Sequence, residues 1–171
     1  NADWESSDVF ELCGGSAKVT RILITRRSIS TGPNFDVIVG IDLLQEKHVA
    51  DLWRYLKCCK PICGILAPPC TGLSGFSALN RVINPEGLAK SRSVSVPLGE
   101  LAGQIALYQL KQGRHFICEN PRGSDLYKLK SWQEVSLHPR LQWTYCDMCM
   151  AGLKDNNGMA IKKSTEIWAS D

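Results

Sequence analysis

Residues 62–70 read Ile-Cys-Gly-Ile-Leu-Ala-Pro-Pro-Cys. A short apolar run stops at two prolines, which fix the backbone and donate no ladder hydrogen bond. The run reads as a buried strand whose tip delivers Cys70 in a rigid, accessible turn. Upstream, Val49, Leu52, Trp53 and Leu56 recur at helical spacing over residues 46–57, and Pro61 parts that helix from the strand. Downstream, Leu98, Leu101, Ile105, Leu107 and Leu110 mark a second helix closed by Gly113. Residues 115–118 then form the next strand, which ends in Glu119-Asn120-Pro121. Strands alternating with helices build a mostly parallel sheet with helices on both faces.

The pattern continues outward. Residues 9–13 form a short strand that Gly14 and Gly15 break before a basic helix over 18–27. Residues 31–34 carry Gly32 and Pro33 and read as a loop. Residues 35–44, apolar except at Asp42, read as a buried parallel strand. The Gly-, Ser- and Asn-rich stretch 71–95 reads as a long active-site loop. A helix over 125–134 capped by Ser124, a strand over 141–145, a turn over 154–158 and a last strand over 160–168 complete an α/β chain. One domain over 1–171 is expected, with an N-terminal extension over 1–8.

Composition narrows the class. At 171 residues, with 44% hydrophobic and 22% charged side chains, the chain has the makings of one folded core and not of a disordered segment. Twenty basic and 17 acidic residues leave a formal charge of +3, compatible with a polyanionic partner without requiring one. The eight cysteines read as reduced thiols in a chain too long to need disulfide staples. With no apolar run approaching the roughly 18 residues of a membrane span, an intracellular place, nucleus or cytoplasm, is expected and no membrane partner. Cys58, Cys59 and Cys63 form one cluster, and Cys146 and Cys149 have the C-x-x-C spacing of a zinc half-site. No histidine neighbours either group, and the first runs into a central strand, so no metal is expected.

Ligands of such sheets bind outside the carboxyl ends of the strands, and three sites lie there. In Glu11-Leu12-Cys13-Gly14-Gly15-Ser16-Ala17, small residues let the backbone approach a nucleoside cofactor. Asp42, the one charge in its apolar segment, offers two acceptor oxygens for ribose hydroxyls. Pro68-Pro69-Cys70 and Glu119-Asn120 end two successive strands.

A glycine turn, a strand-end acid, Pro-Pro-Cys and Glu-Asn, in this order, resemble the DNA cytosine-5 methyltransferase family over about residues 9–168. The chain also looks like compact methyltransferase-like segments of phage and retroelement proteins, which share a turn similar to residues 11–17. The resemblance implies a Rossmann-like class I methyltransferase fold lacking a target recognition domain. It implies that Glu11, Gly14, Gly15, Ser16, Asp42 and Pro68 hold S-adenosylmethionine, that Cys70 attacks the cytosine ring and that Glu119 activates the base. Arg81, Arg92, Arg122 and Lys163 are the expected nucleic-acid contacts, DNA favoured over RNA. A partner protein, another part of a polyprotein or a second copy of the chain would complete the site. The alternative is a non-catalytic module of the same fold that binds nucleic acid or a partner protein.

Overall fold

The run at residues 62–70 lies at the centre of the sheet. The computed structural model describes residues 7–75 and 77–171. Six strands form one sheet: β1 (Val9–Leu12), β2 (Thr31–Phe35), β3 (Cys63–Leu66), β4 (His115–Pro121), β5 (Leu141–Asp147) and β6 (Ser164–Ser170), in spatial order β2-β1-β3-β4-β6-β5. β2, β1, β3 and β4 run parallel, whereas β6 pairs antiparallel with both β4 and β5. The sheet is therefore mixed, with its parallel part at the strands that carry the expected site.

Helices cover the two faces unequally. α1 (Lys18–Arg27) follows β1 and buries no residue. It is tied to the sheet where Thr20 N–H donates to the Glu11 carboxylate, 2.6 Å away. The other face carries the core. There Phe10, Leu12, Leu66, Phe116, Cys118 and Trp168 pack beneath α2 (Glu46–Cys59), α4 (Pro85–Lys111) and α5 (Lys130–Ser136). Alternation along the strands selects these residues, because every second side chain points to one side. Trp132 anchors the far end, fully buried against Phe116, Tyr127 and Trp168, with its indole N–H donating to the Gly99 carbonyl. Among the described residues, no helix is long and apolar enough to cross a membrane.

Three expectations are corrected. β2 occupies residues 31–35, not 35–44. Gly32 and Pro33 fit a strand because β2 is the sheet edge, where a missing N–H is tolerated. Gly32 also leaves room for the Tyr55 hydroxyl, which would lie 2.1 Å from an added Cβ. The apolar residues beyond it form a 3-10 turn, Val37–Val39, on the surface. Residues 71–95 are not a loop: α3 (Ser77–Ile83) and the first part of α4 fill most of them. Asn84 caps α4 by accepting from Gly87 N–H, Pro85 takes the first helical position, and the helix continues through Pro97. The expected helix over 125–134 is a 3-10 turn, Asp125–Lys128, capped by the Ser124 hydroxyl, then a break at Leu129 and α5. Of the expected extension over 1–8, residues 1–6 lie outside the described residues. Ser7 is buried against the Tyr55 hydroxyl at 2.5 Å, and Asp8 pairs with Ser30 beside β1.

The turn after β3 is docked onto α4. Gly72 lies so close that an added Cβ would come 2.8 Å from the backbone nitrogen of Arg92, a contact that backbone on both sides cannot relieve cheaply. Gly72→Ala is therefore expected to cost about 1–3 kcal/mol and to displace the segment that carries Cys70. Urea unfolding monitors the first effect and Cys70 alkylation rate the second; wild-type values for both would show that the docking is loose.

Candidate cofactor and active site

The carboxyl ends of β1, β2 and β3 open into a pocket of about 530 Å³. Cys13, Phe35, Asp36, Ala67 and Pro69 supply its strand-end floor, Val94 and Leu98 of α4 one side, and Val37, Ile41, Leu43 and Leu44 an apolar wall. Of the surface run after β2, Val37, 70% exposed, belongs to this wall, whereas Ile38 and Val39, 70% and 56% exposed, lie outside it.

Asp36, at the tip of β2, organises the floor. One carboxylate oxygen accepts from Gly15 N–H at 2.9 Å and the other from Ile38 N–H at 2.8 Å. Next to it, Asn34 Oδ1 accepts from Gly14 N–H, and Asn34 Nδ2 donates to the Gly15 carbonyl. Glu11 lies beneath the turn, 1% exposed, so close that a Cβ at Gly14 would come 2.3 Å from its carboxylate. Cys13, Gly15 and Ala17 all have left-handed backbone, which costs the non-glycine pair energy that these side-chain locks offset. Gly14, Gly15 and Ser16 thus form the strand-to-helix turn expected of them, while Glu11 holds α1.

The sequence misplaces the strand-end acid by six residues. Asp42 is not at a strand tip; it lies half-buried on the rim of the pocket. Its carboxylate accepts from Leu44 N–H and the Gln45 amide, and the Leu44 bond first and the Gln45 bond second hold it below the usual carboxylate range. Asp36 is the acid that reasoning from sequence missed. The signal was present: Asn34-Phe35-Asp36 places two polar residues around one aromatic just before the apolar run.

Pro68, Pro69 and Cys70 follow β3, and Glu119 and Asn120 lie at the end of the neighbouring β4. Asn120, 1% exposed, joins them by donating its amide to the Pro68 carbonyl at 3.1 Å. The Cys70 carbonyl accepts from Leu73 and Ser74 N–H, so the nucleophile candidate begins a closed turn. Glu119 forms an ion pair with Lys163 at 3.0 Å. The expected phosphate-binding arginines are not gathered together. Arg92 donates to the Gly72 carbonyl and lies 3.7 Å from the Asp125 carboxylate, Arg81 is exposed in the last turn of α3, and Arg122 lies over the Tyr145 ring.

Burial separates the cysteines chemically. It pushes the thiol of Cys13 up to about 12, with the Asp36 charge adding to it, and that of Cys63 up to about 11. It raises Cys59 and Cys118 as well. These four remain neutral thiols, while Cys70 is half-exposed beside the pocket. Cys58, Cys59 and Cys63 lie at the amino end of β3, and Cys146 and Cys149 at the carboxyl end of β5, which points the same way. The two clusters are thus at opposite ends of the sheet. No group of three or more His, Cys, Asp and Glu side chains placed to hold a metal occurs among the described residues.

No protein-family model matches the chain, and no curated protein matches its sequence. Among solved structures it is similar to the Entamoeba histolytica methyltransferase EhMeth, with a TM-score of 0.53 and 12% identity over 97% of this chain and 53% of that one. The chain spans about half the length of that structure. At this identity the likeness is one of fold: an α/β methyltransferase-like architecture built on a mixed six-stranded sheet.

Proposed function

We propose that this chain carries the cofactor pocket and catalytic pair of an S-adenosylmethionine-dependent methyltransferase that acts on C5 of cytosine in DNA, with RNA the less favoured substrate. One observation carries the reading: the carboxyl ends of adjacent parallel strands bring a pocket floored by Asp36, the Pro-Pro-Cys70 turn and Glu119 to one end of the sheet. The pocket falls within the roughly 300–1,000 Å³ of small-molecule sites. Its apolar wall suits an adenine ring, and Asp36 and Asp42 offer carboxylate acceptors to ribose hydroxyls. Each Asp36 oxygen already holds one backbone N–H and keeps a second lone pair for a ligand.

The bound cofactor supplies an electrophilic methyl group. Around it, the residues of the chain make the base reactive. The Cys70 sulfur forms a bond to C6 of the cytosine, the electron pair of the 5,6 double bond moves toward C5, and the thiol proton passes by way of the Glu119 carboxylate to N3. Glu119 holds a proton at N3 and steadies the charge that develops there. After C5 takes the methyl group, loss of the C5 proton returns an electron pair to the ring and breaks the carbon–sulfur bond, freeing Cys70. The base reaches this turn only out of its stack. Lys163 occupies the Glu119 carboxylate until the base enters.

Titration calorimetry with S-adenosylmethionine tests the pocket. Wild type is expected to bind in the micromolar range, Asp36→Asn about tenfold more weakly, as loss of a charged acceptor implies, and Asp42→Ala by less. A larger loss at Asp42 would put the ribose on the rim instead. For the chemistry, an oligonucleotide containing 5-fluorocytosine with cofactor should trap a covalent complex visible on denaturing gels in wild type. Cys70→Ala should form none while binding cofactor normally. Cofactor binding without any trapped complex in wild type would favour the non-catalytic module.

A further inference from the structure

Beyond the pocket, the outer strand of the sheet holds aromatic side chains where a sheet edge is usually blunted by charge. On β5, Trp143 is 58% exposed and Tyr145 44% exposed. Two residues apart, they project from the same face, with ring centroids 5.3 Å apart at an interplanar angle of 61°. The guanidinium of Arg122 lies 4.3 Å above the Tyr145 ring. Neither ring is needed by the core, which closes one strand inward at Trp168, stacked on Tyr127 with centroids 4.3 Å apart.

The placement points to a ligand. Arg122 follows the Glu119-Asn120-Pro121 strand end directly, and its N–H is fixed by the Ser164 carbonyl. Asn120, Glu166 and Tyr145 form one row across β4, β6 and β5. Tyr145 is therefore two strand spacings, about 10 Å, from Asn120, at the same end of the sheet as Cys70. A cation aligned on an exposed aromatic pair combines the two attractions that hold single-stranded nucleic acid: ring stacking, tolerant of sequence, and neutralisation of phosphate. Asp147, the one acid on β5, lies 3.6 Å from Lys162 and is within reach of the charges of both Lys162 and Arg122.

We propose that Trp143, Tyr145 and Arg122 form a stacking platform for the unpaired nucleotides that flank the base presented to Cys70. The proposal rests on the nucleic-acid substrate of the preceding reading, but its readout does not depend on methyl transfer. Fluorescein-labelled oligothymidine and oligouridine are titrated into the full chain, without cofactor, and followed by anisotropy and tryptophan quenching. The two probes distinguish DNA from RNA, and preferential binding of either supports the platform.

Trp143→Ala and Tyr145→Ala are each expected to weaken binding about tenfold, the scale of one lost stacked base. Trp143→Ala should also remove most of the quenching, and Trp143→Phe should restore affinity. Arg122→Ala should flatten the dependence on salt. The aromatic variants should keep wild-type thermal melts and S-adenosylmethionine affinity. Wild-type oligonucleotide affinity in both aromatic variants would overturn the proposal. So would a dimer of the chain alone, seen by sedimentation, that dissociates in those variants, for the rings would then be an interface between copies. Failure of the cofactor titration with retained oligonucleotide binding would sink the methyltransferase reading and leave the platform standing.

Discussion

The Asp36 carboxylate is the tie on which the pocket depends. It holds the glycine turn after β1 through Gly15 and starts the Val37–Val39 turn through Ile38, so a single side chain sets the distance between floor and wall. Both bonds join a charged acceptor to backbone N–H groups, the stronger class of protein hydrogen bond. Three left-handed residues, two of them not glycine, are held in the same turn, and their cost is met by this carboxylate together with Asn34 and Glu11. A pocket organised in this way is formed before any ligand arrives, which spares binding the entropy of ordering loops.

A second tie does for the Cys70 turn what Asp36 does for the pocket floor. Asn120 reaches from β4 to the Pro68 carbonyl, and Gly72 lets the following turn lie flat on α4, where Arg92 donates to its carbonyl. Cys70 is therefore fixed from both sides by backbone contacts instead of by neighbours that would bury its sulfur. Cys118, one strand away and fully buried beneath the sheet, shows the contrast: a similar thiol held by burial in its neutral form. Position relative to the strand end, not residue type, separates a half-exposed cysteine from a packing one.

What was legible in the sequence follows from the same physics. β1, β3 and β4 and the Pro-Pro-Cys and Glu-Asn ends were readable because buried central strands are apolar runs with abrupt polar stops. β2 was not, since its Gly32 and Pro33 are loop-like in composition and make sense only at a sheet edge packed on Tyr55. With 31–34 read as a loop, the segment after β2 reads as a strand, and Asp42 instead of Asp36 stands at its expected end. The stretch 71–95 misled for another reason. Its Ser and Asn content suggested a loop, but Asn84-Pro85-Glu86 spells a cap, a first-turn proline and a first-turn acid, and tertiary packing carries α4 through Pro97.

The antiparallel turn of the last strands has a chemical consequence. Because β6 runs opposite to β4, it begins beyond the carboxyl end of β4, and Lys163, just before it, reaches back to within 3.0 Å of the Glu119 carboxylate. A parallel sixth strand would have left Lys163 at the far end of the sheet. The same reversal lets β5 run parallel to β4 again, so Tyr145 reaches the functional end beside Arg122. Lysine, a compact point charge on a flexible stem, suits the half-exposed pair with Glu119. Arginine, planar and able to stack, is suited to the aromatic edge. The mixed sheet thus gives the two cations different partners, a carboxylate for Lys163 and an aromatic ring for Arg122.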